Sequence, residues 1–570
     1  MFFSTRRAFA CAICLFASAA AHAFSVGNDA ACTHTTIQAA IDAAKALGDT
    51  AIHTIIVANN ASYTGQALVA DGVSLSIEGG FANCSAPAPN APPTEILGAG
   101  NGGLPVLVVQ NFSADPPRVV KLSNLVLAFG GSHDSTGGGM RVQGHVQVEL
   151  AGVRVRQNQA AQGGGISVFG HDSTHPALLR VGASANRISV IDQNRAPTGA
   201  GGGVFVGGNA QALFGSNAVA IADNQANSGG GLYVAGSGQA QLNVSTGTVL
   251  PPAPGLERNQ AVVGGGVFVD NDGFLSVDPG YTIADNQASA DGGGIAAYGG
   301  TAQVYLFATK VHGNRADSDG NTVGCGGGIY ADSGAAITMF GDLPAPVCSP
   351  TETCSRLDEN DATQGGGICA TFGAKVLLLG TQAKGNAAQV GAAVYGNAAE
   401  RVELDSVLIA DSYDRGNLGT VFLGSGSHFF ANGLTLAASI GGSSLMRMDG
   451  GSSASLLYSI LHQPGYSVLF KDEASTVSAA CVLAHEVFPM SGEVRVGDPA
   501  FVNPGAGDFT LQSISPAVDA CADIVERETD ASAQPRGIDL PDVPDLDGPY
   551  DLGAFELQLP PSEIFANGFE

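Results

Sequence analysis

Between about residues 135 and 400 the chain shows short bursts in which apolar positions flank a variable one, as in Val204-Phe205-Val206, Leu232-Tyr233-Val234 and Val267-Phe268-Val269. Alternation of period two over so few residues predicts short strands with one face toward a core. Each burst follows a glycine triplet, and each triplet follows a fixed phrase: an apolar residue, an Asn three positions later, and an Ala two positions after that. The Asn positions are Asn158, Asn194, Asn224, Asn259, Asn286, Asn314, Asn360 and, before the decayed copy Gly391-Ala392-Ala393, Asn386. Five of these eight Asn stand five residues before their glycines, and the triplets start 26 to 39 residues apart.

Gly triplets exclude a helical solenoid, since each Gly costs a helix roughly 1 kcal/mol. Two or three short strands joined by turns use about this many residues and bury no core alone, but stacked copies do. In a parallel β-helix equivalent residues of successive coils lie about 4.8 Å apart. The repeated Asn then reads as an amide ladder at one turn, and the repeated Gly as a corner that needs φ > 0. The predicted fold is all-β: a right-handed single-stranded parallel β-helix with a short N-terminal helical cap and a C-terminal closing module.

The ends divide accordingly. Residues 24–115 read as cap and first coils, 116–495 as the β-helix repeats, 496–556 as the closing module and 557–570 as a tail. Thr35 with Gln38 makes a capping-box signature, followed by Ile37, Ala40, Ile41, Ala44 and Leu47 on one helical face, with Gly48 as the stop. The strand Ile55-Ile56-Val57 follows. From Gly497 the character changes to Gly497-Asp498-Pro499-Ala500-Phe501, Gly507-Asp508-Phe509-Thr510-Leu511, Pro535-Arg536-Gly537 and Asp551-Leu552-Gly553-Ala554-Phe555-Glu556.

The paired phrases resemble the repeats of polymorphic outer membrane proteins, F-x-x-N and G-G followed by aliphatics, over about 265 residues. Here Phe is replaced by Val155, Ile191, Ile221, Leu256, Ile283, Val311 or Leu357. The opening helix and strand resemble pectin-lyase-like β-helix proteins, and the last motifs resemble the closing module of exported bacterial β-helix proteins. The resemblance implies an exported, surface or adhesin-like protein. The translocator barrel common in that repeat family has no counterpart after residue 400, so self-translocation is not expected.

Composition narrows the picture. Of 570 residues 80 are Gly, without the G-X-Y period of collagen, and 45% hydrophobic content against 13% charged excludes disorder. With 24 Lys and Arg against 51 Asp and Glu, the net charge of −27 repels nucleic acid and polyuronates alike. Residues 1–23 carry Arg6, Arg7, an apolar run and Ala21-His22-Ala23, the pattern of a secretory signal peptide. The expected location is extracellular, outer-membrane-associated or periplasmic, with no transmembrane segment in the mature chain. Eight Cys remain beyond that peptide, an even number that favours disulfides. They fall into three groups: Cys32 with Cys84; Cys325, Cys348, Cys354 and Cys369; Cys481 with Cys521. Counted along an extended strand, Cys325 and Cys369 stand five residues apart in register, roughly 16 Å. A bridge does not span that distance, so each is expected to pair with Cys348 or Cys354.

Catalytic signatures are sparse. Gly144-His145 and Gly170-His171-Asp172 are the nearest fragments to a polygalacturonase site, and His485-Glu486 lacks the second His of a zinc-protease motif. Gly98, Gly100 and Gly103 fit a dinucleotide fingerprint with no helix behind it. Asp545, Asp547 and Asp551 offer oxygen ligands for Ca²⁺, although a solvated acidic turn is the plainer reading. The residue after each post-triplet aliphatic is often aromatic: Phe205, Tyr233, Phe268, Tyr330 and Tyr395 are placed by the alternation on an outer face. Such a stripe either stacks on sugars and protein partners or packs on itself. The expected function is noncatalytic binding of glycan or protein surfaces along the solenoid. The alternative is a polysaccharide lyase or glycoside hydrolase of the pectin-lyase-like superfamily, its site assembled across coils.

Overall fold

The computed structural model describes residues 23–113, 116–185, 187–244, 255–341, 355–522, 527–539 and 547–558. The segment read as a signal peptide, save Ala23, lies outside them, as do Cys348, Cys354, Asp545 and residues 559–570.

One coil shows the construction. Strands Val204–Gly207, Gln211–Gly215 and Val219–Ala222 are followed by the turn at Asn224 and the short strand Gln225–Ser228. A glycine triplet then leads into Leu232–Ala235, which opens the next coil. Pairing is parallel and rung on rung: Val204 with Leu232, Ala212 with Ala240, Ile221 with Leu256, Gln225 with Gln260. Repetition builds a 27-stranded sheet, a 14-stranded sheet and a 4-stranded sheet beside the Asn corner. The chain is a parallel β-helix.

The interior is filled by the inward set of each strand. Val204, Val206, Ile221, Leu232 and Val234 are fully buried, within one apolar column running from Val26 to Phe488. Each such side chain contributes about 1.5–3 kcal/mol on burial, and only stacking supplies the neighbours.

The helix spans Ile37–Ala46 and buries Ile37, Ala40, Ile41 and Ala44. Its cap is Thr36 and not Thr35: the Thr36 hydroxyl accepts from the Ala39 N–H at 3.2 Å. Leu47, expected on the buried face, is the C-cap and is exposed. Gln38 does something else than cap. Its amide accepts from the Val69 N–H at 2.9 Å and donates to the Val69 carbonyl at 3.2 Å. A side-chain amide thereby stands in for a missing strand at the open edge of the 14-stranded sheet.

The glycine corners fold more tightly than an extended chain. Gly326 has φ +72°, and a Cβ there would collide with Ile329 O and Tyr330 Cα of its own coil. The triplet thus folds back over the outward residue of the strand it opens. Tyr330 pairs with Cys369 of the next coil, so Cys325, next to Gly326, comes to rest on Cys369. Those two Cys form a disulfide with Cα atoms 5.6 Å apart. The expectation that each pairs with Cys348 or Cys354 is corrected: the five-residue step from Cys325 to Tyr330 makes a hairpin-like corner, and its contour length does not measure the separation. Cys32–Cys84 and Cys481–Cys521 pair as expected, with Cα separations of 5.2 and 6.0 Å.

In the last coils two strands merge into one ten-residue strand, Arg401–Ala410, His428–Ala437 and Ser453–His462. Each is bent where Ser406, Gly433 or Tyr458 adopts positive φ. Alternate residues beyond the bend face opposite ways. Val407, Ile409, Leu434 and Leu436 enter the main core. Leu408, Ala410, Ala437 and Ile460 face outward under Phe509, Leu511, Leu552 and Phe555 of the closing module. The module therefore covers the flank of the final coils. Arg536 ties it down, donating to Gly553 O at 2.7 Å and Ser406 Oγ at 3.2 Å. Glu556 accepts from the Gly537 and Ile538 N–H groups at 2.7 and 3.0 Å. No helix among the described residues is long and apolar enough to cross a membrane.

Candidate functional site: a polar groove beside the asparagine ladder

The eight Asn are buried and form the ladder that their spacing predicts. At each rung Nδ2 and the backbone N–H both donate to Oδ1 of the next Asn: from Asn194 to Asn224 both distances are 3.0 Å. The other Nδ2 hydrogen goes to a carbonyl of the preceding coil, as from Asn194 to Val155 O at 2.9 Å. The same geometry runs from Asn158 through Asn224, Asn259, Asn286, Asn314 and Asn360 to Asn386. The row continues as Ser412, also fully buried.

Because every Asn points inward, its two neighbours point out. The residue before it is left-handed, with φ between 53° and 57° at Gln157, Gln193, Asp223, Arg258 and Asp285. After the first six Asn come Gln159, Arg195, Gln225, Gln260, Gln287 and Arg315, all exposed but partly covered Gln159; after the last two come partly covered Asp361 and buried Ala387. Between the rows runs a groove of about 490 Å³, with exposed Phe129 at one end. Gln225 and Gln260 also line a second hollow of about 290 Å³, which extends the groove toward Gln287, Ser289 and Ser318. From Gln159 to Arg315 the row spans roughly 24 Å at about 4.8 Å per coil.

Electrostatically the groove is mixed and close to neutral. Arg258 grips Asp223 with Nε and Nη2 at 3.0 and 3.3 Å and reaches Glu257. That hydrogen bond to Asp223 raises the guanidinium pKa above its ordinary value. Among the described residues lining the two hollows Asp223 is the one carboxylate, already paired, and there is no His, Cys or Lys. Its Gln amides can both donate to and accept from hydroxyl groups.

The expected aromatic stripe exists, in pieces. Phe205, Tyr233 and Phe268 stack at centroid distances of 5.3 and 5.2 Å. Phe205 is only 6% exposed, because Phe169 lies against it at 5.0 Å and the corner at Gly201 closes over it. Ala296 separates this stack from Tyr330, and Cys369 separates Tyr330 from Tyr395, which stacks on Phe422 at 5.4 Å. Tyr233 and Tyr330 donate to Asp270 and Asp332 at 2.8 and 2.6 Å. Burial, then those carboxylates, push both phenols well above their usual pKa. These rings hold each other more than they offer faces to solvent.

The other sequence candidates are dispersed, save His145 and His171-Asp172, which the structure gathers with His175 at one corner. Asp547 pairs with Arg495. Asp551 is buried and accepts from the Asp519 and Leu557 N–H groups at 2.9 and 2.6 Å. Burial and neighbouring Glu556 raise its pKa. His485 engages the Tyr466 carbonyl at 2.8 Å and Glu486 accepts from the Val468 N–H, beside an open hollow of about 740 Å³ that His462 also lines. Gly98 is a coil corner packed against Gly130. The groove residues carried a signal of their own: Gln between the Asn and the Ala recurs in Asn158-Gln159-Ala160, Asn224-Gln225-Ala226, Asn259-Gln260-Ala261 and Asn286-Gln287-Ala288. An outward residue repeated at the coil spacing makes a row as surely as an inward one.

No family model matches the chain, and no curated protein matches its sequence. The parallel β-helix is identified by its own strand register.

Proposed function

We propose that this is an exported, noncatalytic surface protein of adhesin-like character that binds a neutral glycan along the groove beside the Asn ladder. The observation that carries the reading is the double row of amides and guanidinium groups repeated once per coil. A sugar chain is itself a repeat of rings bearing hydroxyls, and a rigid row of equally spaced donors and acceptors meets several rings without reorganising. The net charge of −27 disfavours uronate chains and nucleic acid. The resemblance of the phrases to polymorphic outer membrane protein repeats and the signal-like first 23 residues support the surface location.

The test is binding of the full mature chain to an array of neutral oligosaccharides, repeated with Gln225→Ala/Gln260→Ala/Gln287→Ala. Each hydrogen bond lost is worth about 1 kcal/mol, so affinity falls roughly 100-fold. Tyr233→Ser/Phe268→Ser leaves it unchanged. Loss with the stripe variant and retention with the groove variant moves the site to the aromatic face. Release of reducing ends or unsaturated sugars from any array member overturns the noncatalytic reading in favour of a lyase or hydrolase.

A further inference from the structure

Outside the groove, two groups of His, Cys and Asp among the described residues bring ligand atoms within 4.8 Å of one another. In one, Asp29 with Cys32 and Cys84, both sulfurs are spent on a disulfide. The other lies on the corner loop between strands Ile166–Phe169 and Leu178–Gly182: His171, Asp172 and His175. The geometry points to a divalent transition-metal site of the Zn²⁺ type formed by His171 Nδ1, His175 Nδ1 and the Asp172 carboxylate.

Both imidazoles turn the same nitrogen to one carboxylate. His171 Nδ1 is 2.8 Å from Asp172 Oδ2, and His175 Nδ1 is 2.9 and 3.0 Å from Oδ1 and Oδ2. The carboxylate is held in place without them, since Oδ1 accepts from the Thr174 and His175 N–H groups at 2.8 and 2.9 Å and from the Thr174 hydroxyl at 2.6 Å. The loop is closed by the His171 N–H on His175 O at 3.2 Å. Rings from the two coils below restrict the imidazoles: His145 stands edge-on to His175 at 5.0 Å, and Phe112 leans on His171 at 6.2 Å.

Two imidazole nitrogens and one carboxylate oxygen form a donor set that Zn²⁺ accepts, with a remaining position for water or a ligand. Each Nδ1 faces the carboxylate, His175 Nδ1 also lying 2.8 Å from Thr174 Oγ1, and an ion bound between them replaces those hydrogen bonds. The site lies on a different corner of the coil from the groove and stands independently of the glycan reading.

The test uses the full chain, stripped with a chelator and titrated with Zn²⁺ by calorimetry and with Co²⁺ by visible absorption. One equivalent of Zn²⁺ binds by calorimetry, and Co²⁺ gives a ligand-field band. His171→Ala/His175→Ala abolishes both signals with unchanged far-UV circular dichroism, and Asp172→Asn, which keeps the turn, weakens them at least tenfold. Absence of Zn²⁺ binding by the unaltered chain, or binding retained in the double variant, overturns the proposal; the latter result would place the ion elsewhere, as at His462 and His485.

Discussion

Replacing Asn259 with Ala removes one rung from the middle of the ladder. Asn259 is fully buried, and its Oδ1 takes the Asn224 N–H and Nδ2–H, each at 3.0 Å. Its own Nδ2 serves Ile221 O and Asn286 Oδ1, also at 3.0 Å. Alanine leaves two donors of Asn224 buried with no acceptor in place, at about 1–3 kcal/mol each, or about 4 kcal/mol together. In a one-dimensional stack that loss stays local, so the readout is hydrogen exchange followed by mass spectrometry. Peptides spanning 219–226 lose protection by roughly three orders of magnitude, while peptides spanning 428–437 keep theirs. A change below tenfold near Asn224, or an equal change in both places, would refute the view that each rung holds its own turn.

Two further outcomes follow from the corners and the closing module. Non-reducing peptide mapping yields a Cys325–Cys369 crosslink, and Cys325→Ser/Cys369→Ser lowers stability by about 4 kcal/mol on the chain-entropy account of a loop with sequence separation 44; a Cys325–Cys348 crosslink would sink that corner geometry. The closing module is more stable in mild acid than above neutrality. Burial lifts Asp405 from its usual 3.8 to about 6, and burial likewise raises Asp530, Asp551 and Glu556. Groups raised in the folded state bind more protons there than in the unfolded chain, so their stabilisation is complete below their unfolded pKa and is lost as pH rises through the folded one. For Asp405 that is about 3 kcal/mol lost between about pH 4 and pH 7. Limited proteolysis of residues 527–558 slows from pH 8 to pH 5, and faster cleavage at pH 5 would reverse the sign.

What could be read from the residues was whatever repeats. The strands at Val204, Leu232 and Val267 and the rungs at Asn158 to Asn386 follow from period and position, because stacking turns sequence recurrence into spatial adjacency. The failures share a cause. Cys325 and Cys369 were judged by length along a strand, yet the left-handed Gly326 folds that length back on itself. The outward placement of Phe205 followed correctly from alternation, but the same glycine corner closes over it, and alternation carries no information about a neighbouring turn. Thr35 and Thr36 are chemically equivalent as caps, and only packing against the first coils chooses between them. The groove stayed hidden because the Gln or Arg after the first six Asn bears no inward role, and an exposed row shows itself only once its corner is seen to be concave.

The fastening of the closing module has a consequence for how the molecule is assembled. Its clasps reach three different coils: Arg536 to Ser406, the Ala554 N–H to Thr435 Oγ1 at 2.9 Å, and the Gly553 N–H to Tyr458 O at 2.6 Å. The coils can accrete in order as the chain emerges, but the module, which follows them in sequence, finds all its partners only when those three are present and in register. A slipped or incomplete stack offers at most a subset and leaves Leu408, Ala437 and Ile460 bare. The module therefore seals only a stack in register, and a faulty one keeps an apolar flank exposed.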